Sequence, residues 1–126
     1  MKILLTGANG QLGQAIIKNK PKLIENNIIE LIALKKHEFN LLDYNNCKSL
    51  IQNIKPDWVI NAAAYTLVDE AEKNPLLAFQ VNEKGPKAIA EALLLFGGKL
   101  LQISTDFVFD GNKGTPYEPT DLRNPL

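Results

Sequence analysis

The sequence predicts an α/β fold, a doubly wound parallel sheet, and three observations carry that expectation. Short runs that are apolar throughout, such as Ile3-Leu4-Leu5 and Trp58-Val59-Ile60, alternate with longer helical patterns, as strands buried on both faces require. Three glycines, Gly7, Gly10 and Gly13, stand between the first such run and the first helical pattern. The later runs end in small or hydroxyl-bearing residues, Asn61 to Ala64 and Ser104-Thr105-Asp106, on the sheet edge where ligands of open α/β folds bind.

Taken in order, Lys2 to Leu5 reads as a strand ending at Thr6-Gly7, and Gln11 to Lys18 as a helix with Leu12, Ile16 and Ile17 on one side. Ile28 to Leu34, rich in β-branched residues, is the second strand. Asp43 to Ile54 is helical, with Asp43 as its cap and Leu50, Ile51 and Ile54 as its apolar stripe. Trp58 to Ile60 follows the Lys55-Pro56-Asp57 break as the third strand. Leu76 to Phe96 is the longest helical pattern, closed by Gly97-Gly98. Pro86 has no N–H for the carbonyl of Asn82, which predicts a kink or two abutting helices at Gly85-Pro86. Leu100 to Ile103 is the fourth strand, and the chain beyond Asp110 reads as loop.

Composition bounds the function. The 126 residues form one domain or part of one. Fourteen basic and fourteen acidic residues are interspersed and sum to zero charge, so nothing supplies the basic footprint of a nucleic-acid or anionic-membrane partner. The single Cys47 excludes an internal disulfide and fits a reducing compartment. The opening apolar run is too short for a signal peptide, and no segment has the length of a membrane span. A cytoplasmic chain is expected.

Glycines at the spacing of Gly7, Gly10 and Gly13 permit a tight turn and let backbone amides meet a pyrophosphate at a helix N-terminus. A strand–helix turn without a ligand is the competing reading. Ala62, Ala63 and Ala64 leave room for a flat ligand, or simply pack a helix closely on a strand. The hydroxyl of Thr105, at the end of the fourth strand, is a donor for a ligand or a cap for the loop backbone. Lys35-Lys36 follows the second strand where NAD-preferring sites carry an acid, so a 2′-phosphate is favoured there, unless these are two solvated loop lysines. His37 and Cys47 have no companions at ligand spacing, and Asp69, Glu70 and Glu72 read as a solvated helix start. Trp58 and Phe96 fit core positions.

TGANGQLG, NAAAYTLVDEAE, VNEKGP and STDFVFDG occur in this order from Met1 to Leu126. Together they resemble the dTDP-4-dehydrorhamnose reductase family, a branch of the extended short-chain dehydrogenase/reductases. The resemblance implies a Rossmann-type domain that binds NADPH, or NADH, and reduces the 4-keto group of a dTDP-linked 6-deoxysugar to give dTDP-L-rhamnose. Carried over by motif, Gly7, Gly10, Gln11, Leu12 and Gly13 would cradle the pyrophosphate, and Ala62, Ala63 and Ala64 would line the adenosine side. Lys35 would meet the 2′-phosphate. Asn40-Leu41 falls where the family has an Asp and an apolar residue flanking adenine; Asn still offers an acceptor. Thr105 matches the catalytic Ser/Thr, and Asp106 would help hold the sugar. Gln14-Ala15 stands where some members carry metal-binding glutamates, so no metal site is assigned.

In that family Asn124-Pro125-Leu126 leads directly into a helix bearing a Tyr-x-x-x-Lys pair. The resemblance therefore implies a cofactor-binding portion, residues 1–126, that stops before this helix, lacks the substrate-binding C-terminal part and is inactive alone. The bare match Tyr44-x-x-x-Lys48 lies on the adenine side and reads as coincidence. A homodimer is expected of the complete enzyme. A nucleotide-sugar epimerase or dehydratase of the same superfamily and a non-catalytic dinucleotide-binding subunit remain the alternatives.

Overall fold

A computed structural model describes residues 1–125, so Leu126, the last residue of the resemblance, lies outside the described residues. In chain order the elements are β1 (Lys2–Thr6), α1 (Gln11–Asn19), β2 (Leu23–Ile24), β3 (Asn27–Ile28), β4 (Glu30–Leu34) and α2 (Tyr44–Ile54). There follow β5 (Trp58–Asn61), α3 (Val68–Lys73), α4 (Pro75–Phe79), α5 (Gly85–Leu94) and β6 (Lys99–Gln102). The main sheet has the order β4-β1-β5-β6 and every pairing in it is parallel. This is the expected Rossmann-type arrangement.

Register fixes the core. Ile32, Leu4, Val59 and Leu100 lie side by side across the four strands. They meet Cys47 and Ile51 of α2 and Ile89, Ala92 and Leu93 of α5 in one apolar cluster. Helices α2 and α5 pack on each other as well as on this face, because both belong to crossovers running in the same direction across the sheet and right-handed connections put them on one side. The crossover from β1 to β4 runs the other way, which assigns α1 to the opposite face.

That second face is covered less fully than the sequence suggests. Gly13 is the only buried residue of α1, whereas Leu12 and Ile17 are 42% and 40% exposed. Leu5 beneath it is fully buried, yet Leu101, of the same parity on β6, is 47% exposed. One short helix packs on β4 and, through Gly13, on the turn after β1.

Two further departures have local causes. The run Ile28 to Leu34 is divided: β3 pairs antiparallel with β2, and only β4 joins the sheet. The two-residue turn Glu25-Asn26 has both φ angles positive, 47° and 66°, the backbone twist that suits a tight hairpin. At Ile29 the chain changes partner: the Ile29 amide donates to the Lys22 carbonyl, and the Glu30 amide to the Met1 carbonyl. Around Pro86 the helix neither stops nor leaves a gap. Gln80–Lys84 forms a π-helical turn between α4 and α5, and the Gly85 amide donates to the Gln80 carbonyl five residues back. Pro86 thereby falls in the first turn of α5, where its missing N–H costs nothing.

Ile89 is fully buried where α5, α2 and the sheet meet. Ile89→Ala should cost about 2–5 kcal/mol through lost burial and the cavity left behind, read as a lower urea midpoint with an unchanged slope.

Candidate functional site

The chain leaves β1 toward β4 on one side and returns past it to β5 on the other, which opens a crevice above the carboxyl ends of β1 and β5. Because all four strands are parallel, the segments after β1, β4, β5 and β6 share this edge. The residues expected to act together are therefore gathered by topology.

The three glycines have different duties. Gly7 has φ +69°, and a Cβ on it would lie 2.7 Å from the Ala62 carbonyl oxygen and 2.8 Å from the Ala63 amide nitrogen. The glycine turn and the alanine loop touch backbone to backbone. A Cβ on Gly13 would fall 2.2 Å from the Gly7 carbonyl oxygen, so this glycine seats α1 against the turn. At Gly10 the only neighbour within 4 Å would be that same oxygen, at 3.2 Å; the space above Gly10 is open. Gly10 is the extended residue before α1, no side chain caps the helix, and its first turn holds no acid. The first-turn amides of Gln11 and Leu12 thus face outward as unclaimed donors, the arrangement that receives a phosphate.

Beneath the crevice runs a polar row, buried at Thr6 and Asn61 and reaching the surface at Gln102, that the sequence reading did not include. Thr6 and Asn61 are fully buried and stand beside each other in register, with Gln102 next in line. The Thr6 hydroxyl donates to Asn61 Oδ1, Asn61 Nδ2 donates to Gln102 Oε1 at 2.7 Å, and Gln102 Nε2 donates to the Ile103 carbonyl at 2.8 Å. The legible signal was a polar residue closing each otherwise apolar run. Asn82, in the π-helical turn, was also missed. Its side-chain oxygen accepts from the Tyr65 amide at 2.8 Å and its nitrogen donates to the Tyr65 carbonyl at 2.9 Å, latching the loop that carries Ala62, Ala63 and Ala64.

After β4, Lys35 and Lys36 are exposed. The sequence offers no acid at the strand's end, yet Glu38 folds back and accepts from the Lys35 amide at 2.8 Å. A carboxylate therefore does stand at this corner. Asn40 Oδ1 accepts from the Leu42 amide, which leaves the oxygen's second lone pair for another donor. Leu41 is 4% exposed in the core cluster and would sit 3.0 Å from a Cβ on Gly85; its side chain serves packing.

After β6, Thr105 and Asp106 are exposed. Thr105 caps the short 3₁₀ turn Asp106–Val108: its hydroxyl accepts from the Phe107 amide and donates to Asp106 Oδ1, both at 3.2 Å. To serve another acceptor, that proton must swing away from Asp106, whose exposed carboxylate then takes water.

Tyr44 and Lys48 are committed elsewhere. The Tyr44 hydroxyl donates to the Gln80 carbonyl, and the Lys48 ammonium is paired with Glu91. Cys47 is fully buried and its Sγ donates to the Asn40 carbonyl; burial, then the nearby Asp43 carboxylate, pushes the thiol up to about 11, far from nucleophile territory. Asp43 caps α2 by accepting from the Asn46 amide, as expected. Among the described residues no three His, Cys, Asp or Glu side chains are grouped to hold a metal ion, and no helix is long and apolar enough to cross a membrane.

A model of the RmlD substrate binding domain family matches residues 1–126. The dTDP-4-dehydrorhamnose reductase of Aggregatibacter actinomycetemcomitans is 41% identical over 125 residues, which is 99% of this chain and 42% of that protein. Among solved structures, a Clostridium acetobutylicum dTDP-4-dehydrorhamnose reductase superposes with TM-score 0.89 at 41% identity, covering 99% of this chain and 43% of that one. The Bacillus anthracis dTDP-4-dehydrorhamnose reductase in complex with NADP superposes with TM-score 0.88 at 33% identity, covering 98% and 43%. The chain thus spans about two fifths of the length of the relatives it matches.

The glycines predict separable effects. Gly13→Ala forces its methyl into a backbone oxygen and should cost about 1–3 kcal/mol, visible in thermal melting, whereas Gly10→Ala should stay within about 1 kcal/mol of the parent.

Proposed function

Because the chain belongs to the RmlD substrate binding domain family, we propose that it is the cofactor-binding portion of a reductase. In this reading the complete enzyme converts dTDP-4-dehydro-6-deoxy-L-mannose to dTDP-L-rhamnose with NADPH, or less readily NADH, in the cytoplasm. The observation that carries the proposal is the open space over Gly10 at the uncapped start of α1, on the same sheet edge as Thr105 and Asp106. A dinucleotide fits that cradle: the amides of Gln11 and Leu12 would take the pyrophosphate, and the backbone from Ala62 to Ala64, latched by Asn82, would flank the adenosine. The NADP held by the Bacillus anthracis relative supports the choice of cofactor.

A dinucleotide held there would be the hydride donor for the ketone. Thr105 would turn its hydroxyl from Asp106 to the ketone oxygen and steady the charge that grows on it. Asp106, released from that bond, would accept from a sugar hydroxyl. Protonation of the alkoxide needs a separate acid. Of the tyrosines, only Tyr44 has a lysine four residues later, and both members of that pair are engaged on α2. Residues 1–126 alone should therefore bind NADPH without oxidising it against the ketosugar, since general-acid help is worth about 10²–10⁴-fold and positioning more.

Two measurements test this reading. Calorimetric titration should show NADPH binding to the chain and its loss in Gly10→Val, with circular dichroism confirming that the variant is folded. Absorbance at 340 nm should show no turnover of dTDP-4-keto-rhamnose. Unchanged affinity in folded Gly10→Val would move the phosphate site elsewhere, and turnover abolished by Tyr44→Phe would make Tyr44 the acid.

Cofactor choice follows from the corner after β4. Lys35 attracts a 2′-phosphate and the folded-back Glu38 opposes it, so NADPH should bind at low salt at least as tightly as NADH. Lys35→Ala should weaken NADPH binding by about three- to tenfold, and Glu38→Gln should strengthen it. A clear NADH preference that persists in Lys35→Ala would overturn the assignment.

A further inference from the structure

The segment after Asp110 is not the open loop that its composition suggests. Three donors converge on the Asp110 carboxylate. Oδ1 accepts from the Asn112 amide at 3.1 Å and the Tyr117 hydroxyl at 2.8 Å, and Oδ2 accepts from Asn124 Nδ2 at 3.3 Å. The Tyr117 ring stacks on Phe109 with centroids 4.2 Å apart and planes 8° apart, and the Lys113 amide donates to the Tyr117 hydroxyl. A second tie, Lys113 to Asp121, closes the middle of the loop. The returning chain then meets the candidate site: the Asn124 amide donates to the Val108 carbonyl at 3.0 Å, and Val108 is the last residue of the 3₁₀ turn that Thr105 caps.

We propose that Asp110 is a positioning residue for the Thr105–Asp106 turn, acting by folding residues 112–124 back onto Val108. Its bearing on sugar binding rests on the reading given above, in which Thr105 and Asp106 meet the sugar. A carboxylate meets all three donors as they stand, two on Oδ1 and one on Oδ2; an amide would set its Nδ2 against Asn124 Nδ2 until Asn124 turned its own amide over. In keeping with this, the Asn112 amide, then the Tyr117 hydroxyl and the Asn124 amide group hold the Asp110 carboxyl down to about 2, against an ordinary value of 3.8. The clamp is therefore fully formed above the ordinary value and is lost as pH falls through about 2.

The test uses ¹⁵N- and methyl-labelled chain in Asp110→Ala, Tyr117→Phe and the double variant, all at half-buried positions outside the core cluster. Asp110→Ala should shift the Thr105 methyl and Phe107 amide signals and raise amide exchange at Asn124 by about tenfold. Tyr117→Phe should raise it about threefold, and should add less than that once Asp110 is gone, when only the Lys113 amide still uses the hydroxyl. Exchange at Val59 and Ile89 should not change. An unmoved Thr105 methyl in Asp110→Ala, or a full additional effect of Tyr117→Phe on the Asp110→Ala background, overturns the proposal. NADPH titration separates the two readings: a chain that fails to bind NADPH yet shows the full loop response supports the clamp and counts against the functional assignment.

Discussion

The carboxyl edge of this sheet depends on one chain of hydrogen bonds, Thr6 to Asn61 to Gln102, that starts in the core and ends at the surface. Two of these residues are sealed from water, so each polar atom must find its partner inside the protein or cost about 1–3 kcal/mol. They can do so only in one register, with Thr6, Asn61 and Gln102 in a single row. A slip of one residue in β5 would turn the Asn61 side chain to the other face and leave Thr6 without an acceptor. Apolar neighbours such as Leu4 and Val59 would tolerate small misalignments far better. The polar row therefore sets the level at which β1, β5 and β6 end, and with it the height from which the glycine turn, the alanine loop and the Thr105 turn depart.

Above that row the edge is made largely of backbone. Gly7 brings the first turn against Ala62 and Ala63 at distances no side chain would allow, and Asn82 holds the same loop from outside by both polar atoms of Tyr65. The surface on offer is a set of amides and carbonyls held from two sides. Such a surface keeps its shape by itself, because the loops are fixed by contacts within the chain.

Much of this was legible in the sequence, for identifiable reasons. Strands such as Ile3-Leu4-Leu5 announce themselves because both faces are buried, and the glycine turn announces itself because no other residue can take its close contacts. The hairpin over residues 23–28 was hidden because Glu25 is an unusual choice for a positive φ, and the β-branched run from Ile28 continues unbroken past the point where the chain changes partners. Glu38 could not be seen at the end of β4 because its arrival there is made by a turn, not by sequence position. The loop after Asp110 looked unstructured because its order resides in one carboxylate and three separated donors, a pattern with no periodicity. The thin cover over Leu101 was equally invisible, since an apolar strand reads the same whether or not a helix reaches it.

The π-helical turn at Gln80–Lys84 has a consequence for helical phase. Each residue of an α-helix advances the side-chain direction by about 100°, so a wide turn amounts to one residue inserted between two faces. With it, Tyr65 is met by Asn82 upstream while Ile89, Ala92 and Leu93 downstream lie on the seam with α2. Tightening the turn to α-helical pitch by removing one residue would rotate those two duties against each other by roughly a quarter turn. The segment thus behaves as a gear that meshes the loop after β5 with the helical layer beneath it, and its length is under tighter constraint than its composition.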